Sequence, residues 1–520
     1  MQLTHTTAIL AATMLVACGQ ASSPPTVEDA GRRDAGADAS LDGGVHDAAP
    51  TDAPVDASRD AGPPVPRDVD FRDLEHVFAD PEPACASDLM RAINARAFSF
   101  VRRGSVPARW FLTERNAADP RVQITGPQIF PAMADLIASA RYEVDFQTYV
   151  WEQDSQPAQE ILAALTRLAR NRLADPTRDR PVRARFLLDA SDIGFGSQAI
   201  EDSMPALAGA LEALALDPRA VTWEIGAFVH STLGNLHVKT LVVDGMVAMV
   251  TGANPQHHHD YAEPWHDAGF VVRGEVALGM LGDFEDAWLR SAQWTCGSAL
   301  GDPTACTRTP SPTVYRVLVD PALDGTCMPV MIAMRMADPS ALSNDVDNPQ
   351  DQAFLAAFDA ATDHIRLQSP NLNDDAAKAG LLAAVRRGVR VDIILSKGFN
   401  FVTESLPGQG GPNVTTVAEL YATLRAEGMS DVCDRLRIRW HSFDGIMAVD
   451  GNGPRASHTK YASVDDRIAL AGTANMDTQS WNNSREVNVL VDDGTTTVSW
   501  DTMLFIPDFE QGIVVDECLP

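Results

Sequence analysis

No apolar run in this sequence is long enough to cross a bilayer, and the chain is short of positive charge. Its 520 residues hold 41 lysines and arginines against 71 aspartates and glutamates, a net charge of −30. A strongly acidic chain repels a polyanion, so nucleic acid is disfavoured as a partner. The apolar stretch from Ala8 to Val16 is about half the ~20 residues that a spanning helix needs. No lysine or arginine precedes it. None of the seven cysteines shows the paired short spacing of a zinc site. From Gly19 to Asp70 large apolar side chains are almost missing, and eleven acidic residues face four basic ones. Such a stretch cannot offset the entropy of ordering, so 19–70 is expected to be a disordered tether rich in Ala, Asp, Pro and Gly. Without it the rest of the chain still carries −23.

What is present points out of the cell. Leu15-Val16-Ala17-Cys18 closes the apolar stretch and resembles the cleavage site of a bacterial lipoprotein. Residues 1–18 are then a signal peptide, and Cys18 is the expected lipidation point. The expectation is an exported protein lipid-anchored to a bacterial membrane, on the periplasmic or surface side of the outer membrane. The other six cysteines are an even number, which suits disulfides in an oxidising compartment. Cys296 and Cys306 are the nearest pair in sequence, although fifteen connectivities are open.

The rest of the chain repeats itself. Tyr142 to Val150 reads as a strand, Pro157 to Arg170 as a helix with Ile161, Leu162, Leu165 and Leu168 on one face, and Pro181 to Ser191 as a strand. His364 to Pro370, Asp374 to Gly388 and Val389 to Gly398 follow in the same order, and Val221 to Phe228 matches Arg435 to Phe443. Alternating strands and helices argue for an α/β fold, each copy a mixed sheet flanked by helices. Two copies argue for two similar lobes related by an approximate twofold axis. The expected division is an extension over 71–120, a first lobe over 121–300, a connection over 301–345 and a second lobe over 346–520.

Each copy contains an odd strand. Leu236 to Gly245 reads LHVKTLVVDG, expected as a strand that places His237 and Lys239 on one face, in line with Leu241 and Val243. Asp244-Gly245 then turns the chain into the next apolar run. In the second copy His458, Lys460 and Asp465 recur at the same spacing, 221 positions on. Each set leads to a glycine and an asparagine, Gly252 and Asn254 in the first copy, Gly472 and Asn475 in the second. One such match is weak, because a histidine and a lysine on a strand are usually a solvated face. Two on corresponding strands with similar sequels are strong.

This pair of motifs resembles the phospholipase D superfamily, over roughly Gln123 to Glu510, and the sequels are similar to its cardiolipin synthase and phospholipase branch. Departures are Gln256, where an acidic residue is common, and Gln479 and Ser484, where Arg and Asn are frequent. The resemblance implies that His237, Lys239, Asp244, His458, Lys460 and Asp465 form a shared catalytic site. His237 would attack a phosphodiester and His458 would serve as acid and base. The lysines, with Asn254 and Asn475 as amide donors, would hold the phosphoryl oxygens. Asp267 and Glu486, 30 and 28 residues after the histidines, would orient the imidazoles, with crossing between lobes open. Asp244 and Asp465 would bond structurally rather than move protons. No metal or other cofactor is expected, since the lysines supply positive charge. The run His257-His258-His259 is expected to be a mouth loop and not a metal site, Trp265 and Trp288 core or framework aromatics, and 399–413 a surface connection, with a lid as the alternative. The leading function is a phosphodiesterase acting on phospholipid by hydrolysis or transfer to an alcohol. A nuclease of the same superfamily and a non-catalytic binding protein are the alternatives. The oligomeric state is open.

Overall fold

The computed structural model describes residues 63–70, 85–101, 121–191, 203–230, 233–291, 295–297, 314–319, 328–338, 340, 346–443, 445–447, 453 and 455–519. The expected signal peptide, Cys18 and the Cys296–Cys306 pair, through Cys306, lie outside these residues.

Two eight-stranded sheets repeat one another strand for strand. The first runs, in spatial order, Arg121–Ile124, Ala268–Arg273, Val247–Thr251, Thr240–Val243, Glu143–Thr148, Val182–Ser191, Val221–His230 and Thr295–Gly297. The second runs Val330–Arg335, Glu486–Asp492, Ile468–Gly472, Tyr461–Val464, His364–Ser369, Arg390–Leu395, Leu436–Trp440 and Ile513–Val514. In each, three neighbouring strands are parallel and the others antiparallel. Parallel neighbours need crossovers, and helices supply them. Gln156–Ala174 starts with Ser155 accepting from the Ala158 amide and buries Ile161, Leu162, Leu165 and Leu168. Its counterpart Asp375–Arg387 is capped by Asp374 and ends at Gly388, whose φ of +96° only glycine adopts easily.

Three apolar layers result. One covers the outer face of the first sheet, with Phe146, Phe186 and Leu165 among its members. Another covers the outer face of the second, with Ile365, Ile393 and Leu420. Between the sheets both lobes contribute to one core, where Val242, Ala248, Val250 and Phe270 meet Ala469, Ala471, Val487 and Val489. Phe270 stacks on Tyr461 across this layer, 6.0 Å between ring centres. The fully buried Arg485 of the second lobe reaches Asp283 and Asp286 on the first-lobe helix Glu275–Ser291, the latter at 2.9 Å.

Three expectations need correction, and the extension proves to be part of the fold. The strand expected from Leu236 covers only Thr240–Val243, because the backbone before it pairs with the other lobe instead of its own sheet. Val65–Asp70, within the expected tether, is a strand antiparallel to Val314–Val319, and its Val69 is buried in the interlobe core. Val330–Arg335, within the expected connection, is the edge strand of the second sheet. In the extension, helix Asp88–Val101 buries Met90, Ile93 and Ala97 in the second-lobe core.

Candidate active site

The two motif histidines are placed by backbone hydrogen bonds that cross between the lobes. Arg485 donates its amide to Asn235, at 2.7 Å, and the His237 amide donates back to Arg485, at 3.0 Å. On the other side the His266 amide donates to Ala456, at 2.8 Å, and the His458 amide to His266, at 2.7 Å. Arg485 precedes Glu486 and His266 precedes Asp267, so each bridge delivers a carboxylate to the opposite lobe's histidine. His237 Nδ1 lies 2.7 Å from Glu486 Oε1, and His458 Nδ1 lies 2.8 Å from Asp267 Oδ2. An ionised carboxylate only accepts, so each ring carries its proton on Nδ1 and keeps Nε2 for chemistry.

Burial sets the charge states. Lys239 and Lys460 are almost fully buried, and each ammonium donates to the carbonyl of its own motif histidine. Desolvation pulls Lys239 down to about 7, against the attraction of Glu486 and with the repulsion of Lys460. It pulls Lys460 down to about 8, against Asp267 and Glu486. Desolvation and the lysines likewise lower His237, and lower His458 strongly, against the pull of their carboxylates. For Asp267 and Glu486, burial opposes ionisation but the paired imidazole and the lysines outweigh it, so both stay ionised. The site therefore holds two carboxylates, two imidazoles on which burial disfavours the proton, and two lysines that burial brings close to losing theirs, an arrangement suited to an entering anion.

The two halves are not identical. Glu486 accepts from Thr473 Oγ1 at 2.5 Å and Ser480 Oγ at 2.7 Å. Asp267 instead has His259 Nε2 at 3.4 Å, five positions after Asn254 as Ser480 is five after Asn475. Gly252 lies against Asp267, and a Cβ there would strike its carboxylate.

Asp244 and Asp465 stand apart from the imidazoles and make the structural bonds expected of them, which keeps them out of the proton-transfer machinery. Asp244 accepts the amides of Arg141, Tyr142 and Glu143 at 2.7–2.9 Å. Asp465 accepts those of Thr362, Asp363 and His364 at 2.8–2.9 Å. Each pins the start of a neighbouring strand to its own turn, whose φ is positive at Asp244, Gly245, Asp465 and Asp466. Asn254 accepts from Thr148 Oγ1 at 3.1 Å and the Val150 amide at 3.2 Å. Asn475 donates one N–H of its side-chain amide to Asp477 at 2.9 Å and keeps the second.

The walls of the site include residues expected elsewhere. Trp265, read as core or framework, has its ring 5.0 Å from that of His458, with His258 stacked on the indole at 4.1 Å. Phe399, at the head of the loop read as a surface connection, lies 5.4 Å from His458. Tyr149 packs 5.2 Å from His237, and the Lys239 ammonium lies 5.3 Å from its ring centre. Within the histidine run, His257 is exposed and bonded to Asp260 and Asp154, whereas His259 is buried at Asp267.

Residues 354–504, in the second lobe, match the family described as "Cardiolipin synthase, PLD-like domain". Cardiolipin synthase A of Pseudomonas putida is 25% identical over 280 residues, covering 53% of this chain and 47% of that protein, and the protein of strain W619 gives the same figures. The chain thus matches about half the length of these curated relatives. Among solved structures, phosphatidylserine synthase of Haemophilus influenzae Rd KW20 superposes with a TM-score of 0.54 at 16% identity, covering 82% of this chain and 92% of that one, a likeness of fold. Residues 354–504 are thus similar to a cardiolipin synthase-type phospholipase D-like domain, and the repeated sheet with its own histidine–lysine motif gives the first lobe the same plan.

Proposed function

We propose that this protein is an exported phosphodiesterase that cleaves phospholipid through a phosphohistidine and passes the phosphatidyl group to water or an alcohol. One observation carries this reading: two histidines, each held at Nδ1 by the other lobe's carboxylate, beside two buried lysines. His237 Nε2 attacks phosphorus as the bond to the leaving oxygen breaks, and His458 Nε2–H gives that oxygen its proton. The phosphodiester's negative charge offsets the lysines and so raises the proton affinity of His458 as substrate enters. Water or an alcohol then attacks the phosphohistidine, His458 takes the proton, and the P–N bond breaks. His237 is the nucleophile in this scheme because its ring keeps more solvent access, 13% against 6% for His458.

Phospholipid is favoured over nucleic acid by the acidic body and by the names of the relatives. Loops around His458 also expose Phe401, Val402, Phe443 and Ile446. Export and a lipid anchor at Cys18 belong to the same reading. They are supported by the lipoprotein-like Leu15–Cys18 run and by a Cys433–Cys518 disulfide, which suits an oxidising compartment. The protein is expected in the membrane fraction, and Cys18→Ser should release or leave unprocessed a protein that an unchanged distribution would show never to have been tethered.

The decisive experiment compares His237→Ala with His458→Ala. Each should abolish phospholipid turnover, and the double variant should be no worse, because residues acting as one unit are non-additive. With a nitrophenyl phosphodiester, whose leaving group needs no proton, His458→Ala should accumulate a covalent phosphoryl adduct in intact-mass spectra, and His237→Ala should form none. The reverse pattern would exchange the two roles. Undiminished turnover in either variant would remove the shared site.

A further inference from the structure

Beside the bridge that holds Asp267 on His458 lies a second cluster, which the phosphodiester chemistry does not use. We propose that His266, His441 and Asp508 bind one divalent transition-metal ion of the zinc, cobalt or nickel class, tying the first lobe to the second. His266 comes from the first lobe, His441 follows the second-lobe strand Leu436–Trp440, and Asp508 lies in the second-lobe helix Ile506–Gln511. One donor atom from each lies within 4.8 Å of the others. An ion about 2.1 Å from each donor needs ligands about 3.4 Å apart, so the wider sides of the triangle would shorten and the close His266–Asp508 side would lengthen on binding. Two imidazoles and a carboxylate are a donor set that this class of ion accepts, with a fourth position left for water.

Further features separate this cluster from an ordinary ion pair. His266 Nε2 and Asp508 Oδ2 are 2.6 Å apart, yet this buried nitrogen has no aligned hydrogen-bond partner. A simple ion pair also has no need of His441, whose buried ring stacks on His266 at 4.9 Å. The supports that a metal site requires around its ligands are present. Gln368 Nε2 donates to Asp508 Oδ2 at 2.7 Å, and the His266 backbone is fixed at both its amide and its carbonyl by the second lobe. The ion stands outside the path of the phosphoryl group, so this inference is independent of the proposed reaction.

The test is calorimetric titration of the metal-free full chain with zinc, with cobalt spectra reporting ligand geometry. One ion per chain should bind with a Kd of about 1 μM or tighter. It should raise the thermal midpoint, since a ligand that binds only the folded state stabilises it. His441→Ala and Asp508→Asn should each weaken binding by at least about 100-fold, more than loss of an outer partner costs. Their metal-free midpoints report that they fold. The double variant His257→Ala/His258→Ala, in the exposed run, and His458→Ala, which removes the other convergent set, should leave binding intact. Absence of saturable binding in the parent chain would overturn the site in favour of a simple ion pair. Unchanged affinity in His441→Ala, or its loss in either control, would overturn it in favour of other ligands.

Discussion

Lys239 and Lys460 are two of only four lysines in the chain, and both are buried. At about 7 and about 8 their proton affinities straddle neutrality while the site is empty. On the proposed function a bound phosphodiester holds both lysines protonated, so the anion and the protons bind together. The sign follows: below about pH 7 the free site is already charged, and above about pH 8 binding must first recover protons. Affinity for a phosphodiester analogue that stays monoanionic should therefore be flat up to about pH 7. It should then fall, by up to about tenfold per pH unit for each lysine that has lost its proton. Calorimetry across pH 6 to 9.5 checks this, and a flat response would mean the lysines are not the anion's partners. Lysine scarcity is a sequence signal for this pair as strong as the motif spacing. Trp265 and His259 carry no such signal. Nothing in their local pattern distinguishes a core aromatic or a loop histidine from one that closes on His458 through a fold-level contact.

The short helix Phe401–Glu404 follows directly from Phe399, which packs on His458. Its far end is pinned, because Glu404 accepts from Asn371 at 2.9 Å and from Asn373. Burial, then Asp477, pushes this carboxyl up to about 8. Its near end presents Phe401 and Val402, 51% and 62% exposed. A fixed helix that turns two large apolar side chains to water beside the site suits contact with a lipid surface. Phe401→Ser/Val402→Ser should cut turnover on phospholipid vesicles by about tenfold or more and leave a soluble nitrophenyl phosphodiester unaffected. Equal losses on both substrates would place the pair in the site's framework. At this scale the sequence was legible wherever hydrophobic periodicity reported burial within one lobe, as in Gln156–Ala174 and Asp375–Arg387. It misled at Leu236–Lys239, because extended backbone that pairs with a distant lobe has the same alternation as a strand in its own sheet.

The two lobes share one apolar layer and one buried ion cluster, Arg485 with Asp283 and Asp286. Neither half can leave the other without exposing both. Arg485→Met strands two buried carboxylates and removes the guanidinium beside the Asn235–His237 bridge. It should cost roughly 3–5 kcal/mol in denaturant unfolding, and the two lobes should still unfold in one transition. Two separated transitions would show that the lobes are independent. The twofold plan was legible because both copies keep the same order of strands, whereas Val65–Asp70 and Val330–Arg335 were not, since each lies in a stretch that its neighbours' composition marks as connection.

The exchange of carboxylates between halves also bears on biosynthesis. While the first half emerges from the ribosome, His237 is present but the group that fixes its tautomer is encoded 249 residues later, at Glu486. His458 meets the opposite situation: Asp267 has long been made, but on a lobe whose inner face is still bare. A chain interrupted before Glu486 thus lacks the carboxylate that orients His237. On the proposed function, phosphodiester cleavage therefore waits until the last sheet has closed.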